Sequence, residues 1–305
     1  MLRITACQII SLIGAVLFTA ACHPSSEEHL TIAFTGDVLL DRGVRHEIEK
    51  KGAEHLFASV APLFRKADAT VVNLECPVTA VQSPINKRYI FRAEPAWLEA
   101  LKKSGITHAA LANNHTMDQG RSGLIDTYHH LLTAGITPVG YGKNQQESLR
   151  PILIEKGSIK VALFNSVTLP LENWVCLEDR PGICQQPIDK LGEAIKAFKK
   201  QHPDSYAVAI LHWGIEYQSV PSISQRRGAR LLLRSGADAI IGHHPHVIQQ
   251  EEYIDGKPVF YSLGNFVFDQ RKPETSKGEI VTLDFTARKC KANIHPVTIR
   301  ACKPE

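Results

Sequence analysis

Residues able to bind a metal ion follow short apolar runs at five places in the sequence. Such runs are typical of buried strands, and the carboxyl ends of parallel strands meet at one edge of a sheet, where sites commonly form. The residues at these run ends are Asp37, Glu75, Asn114 with His115, His212, and the group His243, His244 and His246. Carboxylate oxygens, an amide oxygen and imidazole nitrogens suit Zn²⁺, Mn²⁺ or Fe. These positions together predict a metal site.

The histidine group is the strongest of these signals, because three imidazoles within four residues seldom serve packing. Alternate residues of an extended segment face the same way, so His244 and His246 are expected to point together. His243 is an alternative ligand that the spacing leaves open. Any one position has an ordinary explanation, such as a turn at Asp37 or a buried structural histidine at His212. Their coincidence favours the metal site.

Alternating strands and amphipathic helices are predicted to position these residues. The strand candidates are Leu30–Thr35, Ala69–Leu74, His108–Ala112, Lys160–Asn165, Ala207–His212 and Asp238–Ile241. The helix candidates are Leu56–Arg65, Pro95–Ser104, Ser122–Ala134, Asp189–Lys200 and Ser224–Ser235. Gly105 and Gly236 directly follow predicted helix ends, where glycine is favoured. The alternation indicates an α/β layered domain.

The C-terminal third is predicted to be rich in strands. Gln249–Tyr253 and Lys257–Ser262 flank Asp255-Gly256, a dipeptide that strongly favours a hairpin turn. Gly278–Phe285 and Asn293–Arg300 have the composition of two further strands. This region is therefore expected to add antiparallel strands to the layered domain.

The composition is that of an ordinary globular protein. The 305 residues are 44% hydrophobic and 22% charged, with a formal net charge of +4, 14 His and 7 Cys. These values exclude a disordered, collagen-like or coiled-coil chain. The small charge gives no indication of a nucleic-acid partner. No linker or repeat divides the sequence, so a single domain is expected over residues 30–305.

Residues 1–21 are predicted to be a signal peptide rather than part of the fold. The apolar run from Ile9 to Phe18 is shorter than a membrane span, which needs about 20 residues. Small residues then precede Cys22, as in a bacterial lipoprotein signal, where that cysteine is lipidated. Threonine stands where such signals usually have leucine, and plain secretion is the alternative. We expect an exported protein of the bacterial cell envelope, with residues 22–29 as a polar tether.

The remaining cysteines indicate an oxidising compartment rather than a zinc finger. With Cys7 in the signal peptide and Cys22 lipidated, the exported chain keeps Cys76, Cys176, Cys184, Cys290 and Cys302. An odd number leaves at least one thiol unpaired or paired between chains. Cys176 with Cys184, and Cys290 with Cys302, are candidate disulfides, although the sequence leaves the connectivity open. No Cys-x-x-Cys pair is present.

Six segments, all in order, resemble the motifs of the CapA family of poly-γ-glutamate capsule biosynthesis proteins, which is related to the calcineurin-like metallophosphoesterases. They are GDVLLDR at 36–42, NLECP at 73–77, ANNHTMDQG at 112–120, HWGIEY at 212–217, GHHPH at 242–246 and YSLGNFVFD at 261–269. The resemblance implies an α/β fold, the four-layer αββα sandwich of the metallophosphoesterase type. It also implies divalent metal ions at the strand ends, two in number, with Mn, Zn or Fe as candidates.

The resemblance further implies roles for individual residues. The implied metal ligands are Asp37, Glu75 as the bridging acid, Asn114, His212, His244 and His246. His115 corresponds to a catalytic acid or oxyanion stabiliser. Asn113, Asp118 and Asn265 are candidates for lining the site; a turn residue is the alternative for Asn265. The chain lacks the Asp-x-His and Gly-Asp-x-x-Asp motifs of ordinary metallophosphoesterases, so the ligand geometry and the metal count stay open.

The expected function is metal-dependent hydrolysis or group transfer on an anionic capsule or cell-envelope polymer, such as poly-γ-glutamate, or on its precursor. Arg42 and Arg92 are candidates to hold that substrate, because an arginine fork suits phosphate and carboxylate alike; a surface ion pair is the alternative for each. The alternative function is a non-catalytic, metal-containing accessory protein that tethers or guides the polymer. Expected partners are the polymer, the membrane through the lipid anchor, and capsule-synthesis membrane proteins.

Overall fold

The computed structural model describes residues 28–170 and 178–305. The strands are β1 (Leu30–Val38), β2 (Ala69–Leu74), β3 (His108–Ala110), β4 (Thr137–Val139), β5 (Tyr141–Gly142), β6 (Ile152–Lys156), β7 (Ile159–Val167), β8 (Gly182–Ile183), β9 (Tyr206–His212), β10 (Ala239–His243), β11 (Ile248–Ile254), β12 (Lys257–Leu263), β13 (Asn265–Val267), β14 (Lys277–Phe285), β15 (Cys290–Arg300) and β16 (Lys303–Pro304). The α-helices are α1 (Gly43–Lys51), α2 (Ala61–Phe64), α3 (Leu98–Ser104), α4 (Gly120–Thr133), α5 (Gln145–Ser148), α6 (Ile188–Gln201) and α7 (Ile223–Arg234), and 3-10 turns cover Ala53–Leu56 and Pro95–Trp97.

Two sheets pack face to face. The first has the order β16-β15-β14-β1-β2-β3-β4, with β13 also beside β1, and the second has the order β11-β12-β10-β9-β7-β6. Strands β1 to β4 run parallel, as do β7, β9, β10 and β12, whereas β14 and β15 add antiparallel neighbours. Parallel strands bring their carboxyl ends to one edge, which is the arrangement that the sequence predicts.

Helices cover the outer face of each sheet. Side chains alternate between the two faces of a strand, so Phe34 of β1 packs toward the second sheet while Ala33 faces the helices. Leu124 of α4 belongs to the apolar cluster on the outside of the first sheet. Leu191 of α6 and Leu232 of α7 belong to the cluster outside the second sheet. The predicted four-layer αββα sandwich is confirmed.

Most predicted elements are present, with shifted ends. The predicted helix Leu56–Arg65 is instead a 3-10 turn followed by the short helix α2. The sequence analysis missed α1, although the spacing of buried Val44 and Ile48 in that helix is an i, i+4 signal. It also missed the edge strand β6, a five-residue strand with no fully buried residue.

The chain crosses from the second sheet to the first at Gly264, between β12 and β13. A Cβ atom on Gly36 would lie 2.2 Å from the carbonyl oxygen of Gly264, so only glycine admits the crossing chain at that point. The backbone N–H of Asp37 donates to the same carbonyl at 3.0 Å. Asn265 consequently pairs in register with Asp37. This crossing fixes the end of β1 against a residue delivered from the other sheet.

The predicted disulfide between Cys290 and Cys302 is wrong. Cys290 begins β15 and Cys302 follows its end, and both thiols are free. An extended strand of this length separates them by about 30 Å, whereas bridged cysteines have Cα atoms at most about 7 Å apart. Cys176, the signal peptide and Cys22 lie outside the described residues. Within the described ranges, no helix is long and apolar enough to cross a membrane.

Candidate metal centre

The carboxyl ends of strands from both sheets meet at one edge of the sandwich. In the first sheet, Asp37 lies beside Asn73 in the pairing of β1 with β2, and Glu75 follows β2 directly. In the second sheet, His212 lies beside His243 in the pairing of β9 with β10. Ligand atoms of Asp37, Glu75 and His212 lie within 4.8 Å of one another. The structure therefore brings together acids of one sheet and a histidine of the other.

The two buried acids are in different electrostatic states. The Oδ1 atom of Asp37 accepts a hydrogen bond from Asn73 at 2.8 Å and lies 3.4 Å from Nδ1 of His243, and its Oδ2 lies 3.1 Å from Nδ1 of His246. Burial raises the pKa of Asp37, but the contacts with both histidines outweigh it and hold that pKa well below its usual value. Burial and the neighbouring Asp37 raise the pKa of Glu75 well above its usual value.

Several ligand atoms in this cluster have no hydrogen-bond partner within the described part of the chain. They are Oδ2 of Asp37, both carboxylate oxygens of Glu75, and the Nδ1 atoms of His243 and His244. A buried polar atom left without a partner costs about 1–3 kcal/mol. Oxygen and imidazole donors of this kind bind Zn²⁺, Mn²⁺ or Fe, and such an ion would partner these atoms. The residues present therefore fit a divalent metal ion, while the predicted second ion stays a prediction.

The segment that carries His244 and His246 is not extended. His244 has a φ of 99° and His246 a φ of 58°, in the left-handed region that costs a side-chain-bearing residue about 1–3 kcal/mol. The prediction that this segment is extended is therefore wrong. The rings still lie near each other, with centroids 6.2 Å apart. Backbone strain of this kind is concentrated at functional sites.

These two histidines have opposite electrostatic environments. Burial and the charge of His246 lower the pKa of His244 to about 3. Burial also lowers the pKa of His246, but Glu75 and Asp37 outweigh it and raise that pKa to about 9. His244 is thus a neutral imidazole at pH 7, whereas His246 is held as a cation between two acids. Displacing that proton is part of the work of binding a metal there.

Asn114 and His212 are in direct contact, as the predicted ligand set requires. Oδ1 of Asn114 lies 2.8 Å from Nε2 of His212. On the other side of the ring, Nδ2 of Asn73 lies 3.3 Å from Nδ1 of His212. Burial lowers the pKa of His212 well below its usual value, so this ring is neutral. The sequence analysis did not assign Asn73 to the site, although it is two residues before Glu75 and such alternate residues share a strand face.

Asn265 holds the ring of His246. Its Oδ1 lies 3.0 Å from Nδ1 of His246, and its Nδ2 donates to the carbonyl of Thr275 and to Gln270. A polar residue that binds the far nitrogen of a ligating histidine fixes the orientation of that ring. Asn265 therefore lies beside the cluster, as predicted, and its contacts are those of a positioning residue.

His115 lies in a separate network beside the cluster. Its Nδ1 is 2.7 Å from Oδ2 of Asp118, and its ring stacks on Phe91 at 4.2 Å between centroids. Asp118 also accepts from the backbone N–H of Phe91 at 2.8 Å and from Nζ of Lys87 at 3.0 Å. Burial lowers the pKa of His115. The contact with Asp118 leaves Nε2 as the nitrogen of His115 available for chemistry.

The side chain of Asn113 makes hydrogen bonds within its own loop and to the end of β2. Its Oδ1 accepts from the backbone N–H groups of His115 and Thr116, and its Nδ2 donates to the carbonyl of Leu74. The side chain thereby shapes the loop that presents Asn114. Lys87, which the sequence analysis did not single out, donates to the carbonyl of Asn114 and supports the same loop.

Comparison with known proteins gives the family. Residues 31–270 match the family model described as bacterial capsule synthesis protein PGA_cap. The chain belongs to this family. It is 33% identical over 259 residues to the PGA biosynthesis protein CapA of Bacillus subtilis, with 84% of this chain and 68% of that protein covered. It is 31% identical over 260 residues to the capsule biosynthesis protein CapA of Bacillus anthracis, with 83% and 63% covered.

Solved structures share the fold of this PGA_cap family member. The NAD nucleotidase of Haemophilus influenzae superimposes with a TM-score of 0.53 at 13% sequence identity, over 90% of this chain and 51% of that one. Identity this low establishes the likeness of the fold alone. The sandwich is therefore shared with nucleotidases, while the ligand set has to be argued from this chain's own residues.

The two predicted substrate-binding arginines have different surroundings in this PGA_cap family member. Arg42 pairs with Asp269, and its guanidinium lies 4.9 Å from the ring centroid of Phe91 and 5.5 Å from that of Phe268. The Phe268 ring contacts the ring of His246 at 4.8 Å, so Arg42 lies at the mouth of the cluster. Arg92 is bound instead by Glu94 and the carbonyl of Thr79, and the structure does not bring it to the cluster.

Proposed function

We propose that this protein is an exported, metal-dependent hydrolase or transferase that acts on an anionic capsule or cell-envelope polymer, such as poly-γ-glutamate, or on its precursor. The observation that carries the proposal is the pair of unpartnered carboxylate oxygens of Glu75, buried beside the imidazoles of His212 and His246 in a member of a capsule synthesis family. Such a buried carboxylate destabilises a packed core, whereas in a metal centre it serves as a ligand.

The residues divide the chemical work between holding the ion and moving a proton. The proposed ligands are Asp37, Glu75, Asn114, His212, His244 and His246, with His243 as an alternative. A divalent ion held there supplies positive charge for an oxyanion and lowers the pKa of bound water. His115, with Nδ1 fixed by Asp118, would take up at Nε2 a proton from the attacking water and give it to the leaving group. Arg42 holds the anionic substrate at the mouth.

The proposal includes transport across the membrane and anchoring to it. The support is the sequence of residues 1–22, with its short apolar run, small residues and following cysteine. A lipid on Cys22 would tether the domain beside the membrane, where capsule-synthesis membrane proteins are the proposed partners. Metabolic labelling of the expressed protein with a fatty acid, against Cys22→Ser, tests this part directly.

The test of the function begins with the metal. The purified wild type should contain a divalent metal and should turn over either a phosphoester or poly-γ-glutamate. His244→Ala should lose metal, and His115→Ala should keep metal and lose turnover. His295→Ala is the matched control, because that histidine lies on β15 outside the cluster. A metal-free wild type would overturn the proposal, and metal without turnover would favour the accessory function.

A further inference from the structure

Three cations surround the mouth of the metal cluster, and each lies against an aromatic ring. The pairs are Arg42 over Phe91 at 4.9 Å from the ring centroid, Arg88 over Tyr89 at 5.1 Å, and Lys272 over Tyr217 at 5.4 Å. We propose that Arg42, Arg88 and Lys272 form a cation track, which binds successive carboxylate groups of one polymer chain leading into the metal cluster. The proposal rests on the proposed function, because the polymer is the substrate of that function.

Arg88 is attached to the site through its neighbour in the chain. Lys87 turns inward, where its Nζ donates to the carbonyl of Asn114 and to Asp118. Arg88 is exposed and leans on Tyr89, which is itself 51% exposed. The buried contacts of Lys87 thus fix the loop from which Arg88 reaches the surface beside Asn114.

Lys272 is attached to the opposite wall of the site. The hydroxyl of Tyr217, the ring beneath Lys272, accepts from Nε2 of Gln270 at 3.2 Å. Oε1 of Gln270 accepts from Nδ2 of Asn265, and Oδ1 of Asn265 contacts His246. The Tyr217 ring itself lies 6.3 Å from the ring of His246. Lys272 therefore stands within one side chain of a proposed metal ligand.

Arg42 and Tyr217 flank the same histidine. The Tyr217 ring lies 6.3 Å from the ring of His246. Arg42 lies 5.5 Å from the ring centroid of Phe268, and the Phe268 ring lies 4.8 Å from that of His246. Arg42 and the ring beneath Lys272 are therefore both beside this proposed ligand.

The two outer cations have no acidic partner among the described residues, whereas Arg42 is paired with Asp269. An exposed cation held in place by an aromatic ring is already oriented, so it loses less conformational freedom when a carboxylate binds. Nucleic-acid bases stack on aromatic faces, but here a cation covers one face of each ring. The arrangement favours an anionic chain without stacking groups.

Glu216 is an acid beside the track, and its removal is expected to change polymer binding in the opposite direction. It is exposed and directly precedes Tyr217, whose ring lies 6.3 Å from that of His246. A negative charge there opposes the approach of a polyanion. Its removal should therefore strengthen polymer binding, in the opposite direction from removal of Arg88 or Lys272.

The experiment measures equilibrium binding of fluorescently labelled poly-γ-glutamate to the purified full chain, with metal content determined in parallel. Arg88→Gln and Lys272→Gln should each weaken binding about threefold, and the double variant about tenfold, as expected for exposed ion pairs. The matched control is Arg288→Gln, an exposed arginine in the turn between β14 and β15, at the other end of the sheet. Glu216→Gln should tighten binding about twofold.

Each outcome decides for or against the track. The track would be overturned if Arg288→Gln weakened polymer binding as much as the track variants do. It would also be overturned if the double variant did not weaken polymer binding, or if Glu216→Gln weakened it. Inorganic polyphosphate of matched length that binds as tightly, with the same response to the variants, would overturn the assignment to carboxylates. Binding needs no turnover, so the track is tested even where metal and activity measurements go against the proposed function.

Discussion

The two polar groups at the strand ends differ in how their atoms are satisfied. On the side of His115, the imidazole, Asp118 and Lys87 bind one another, and the ring is stacked on Phe91. On the side of Glu75, both carboxylate oxygens are buried and lack a hydrogen-bond partner in the described chain. The first group is complete in its protein contacts, whereas the second has unpartnered donor atoms that fit a cation. The preorganised residues around His115 and the unpartnered metal-binding atoms around Glu75 thus lie in adjacent but separate networks.

The largest effect is expected at the incomplete group. Glu75→Gln keeps the shape of the side chain and removes its charge, so metal affinity should fall by more than the roughly 100-fold that loss of an outer supporting residue produces. Competition with a fluorescent chelator measures this affinity. Glu279→Gln, a half-buried acid on β14, serves as the control. Retention of metal by Glu75→Gln would show that the acid is not a ligand.

A smaller effect, confined to turnover, is expected at the complete group. Asp118→Asn removes the carboxylate that fixes Nδ1 of His115, so kcat should fall about 100-fold, in the range of a lost proton-transfer arrangement. Metal content should not change. Steady-state kinetics on the substrate found active, with metal analysis of the same preparation, give both values. Loss of metal by Asp118→Asn would show that the two groups are one network.

The pH dependence of stability should separate the groups without any substrate. Folding raises the pKa of Glu75 above its usual value of 4.5, so the folded state binds the proton more tightly. In the presence of a chelator, the contribution of Glu75 to stability is present below pH 4.5 and is lost as the pH rises, by at most about 1.4 kcal/mol per pH unit.

Urea unfolding of the chelated wild type and of Glu75→Gln at several pH values measures this contribution as the difference between the two proteins. Asp37 contributes in the opposite direction, since its pKa is lowered. Because Glu75 interacts with Asp37 and His246, the difference between the two proteins measures Glu75 together with these interactions. A difference that does not change with pH would mean that Glu75 titrates normally in the folded state.

The smallest effect is expected from Asn265, whose side chain contacts the metal cluster through His246. Asn265→Ala should reduce metal affinity about tenfold, at the low end of the range for residues that orient a ligating histidine. The same competition assay measures it. An effect as large as that of Glu75→Gln would make Asn265 a ligand rather than a positioning residue.

The sequence predicts the members of the site better than their geometry. Asp37, Glu75 and His212 were identifiable because each ends or follows an apolar strand, a local signal that parallel packing converts into proximity. The left-handed backbone at His244 and His246 depends on long-range contacts, such as the hydrogen bond from Tyr217 to the carbonyl of Pro245. No local pattern encodes such contacts.

Lys87 shows the same limit in a loop. It lies between β2 and the 3-10 turn Pro95–Trp97, where no periodicity marks a residue as buried. Its partners Asn114 and Asp118 are 27 and 31 residues away. The fold class, in contrast, follows from the strand and helix alternation, because each of those signals is local and repeated along the chain.

The division of the proposed ligands between the two sheets has a kinetic consequence. Asp37 and Glu75 belong to one sheet and His212 to the other, so the ligand set exists only after the two sheets have docked. An ion bound to both sheets must dissociate before they separate. The ion would therefore slow the rate of unfolding while leaving early folding steps unaffected, and the protein would gain lifetime against proteolysis once it had bound its metal.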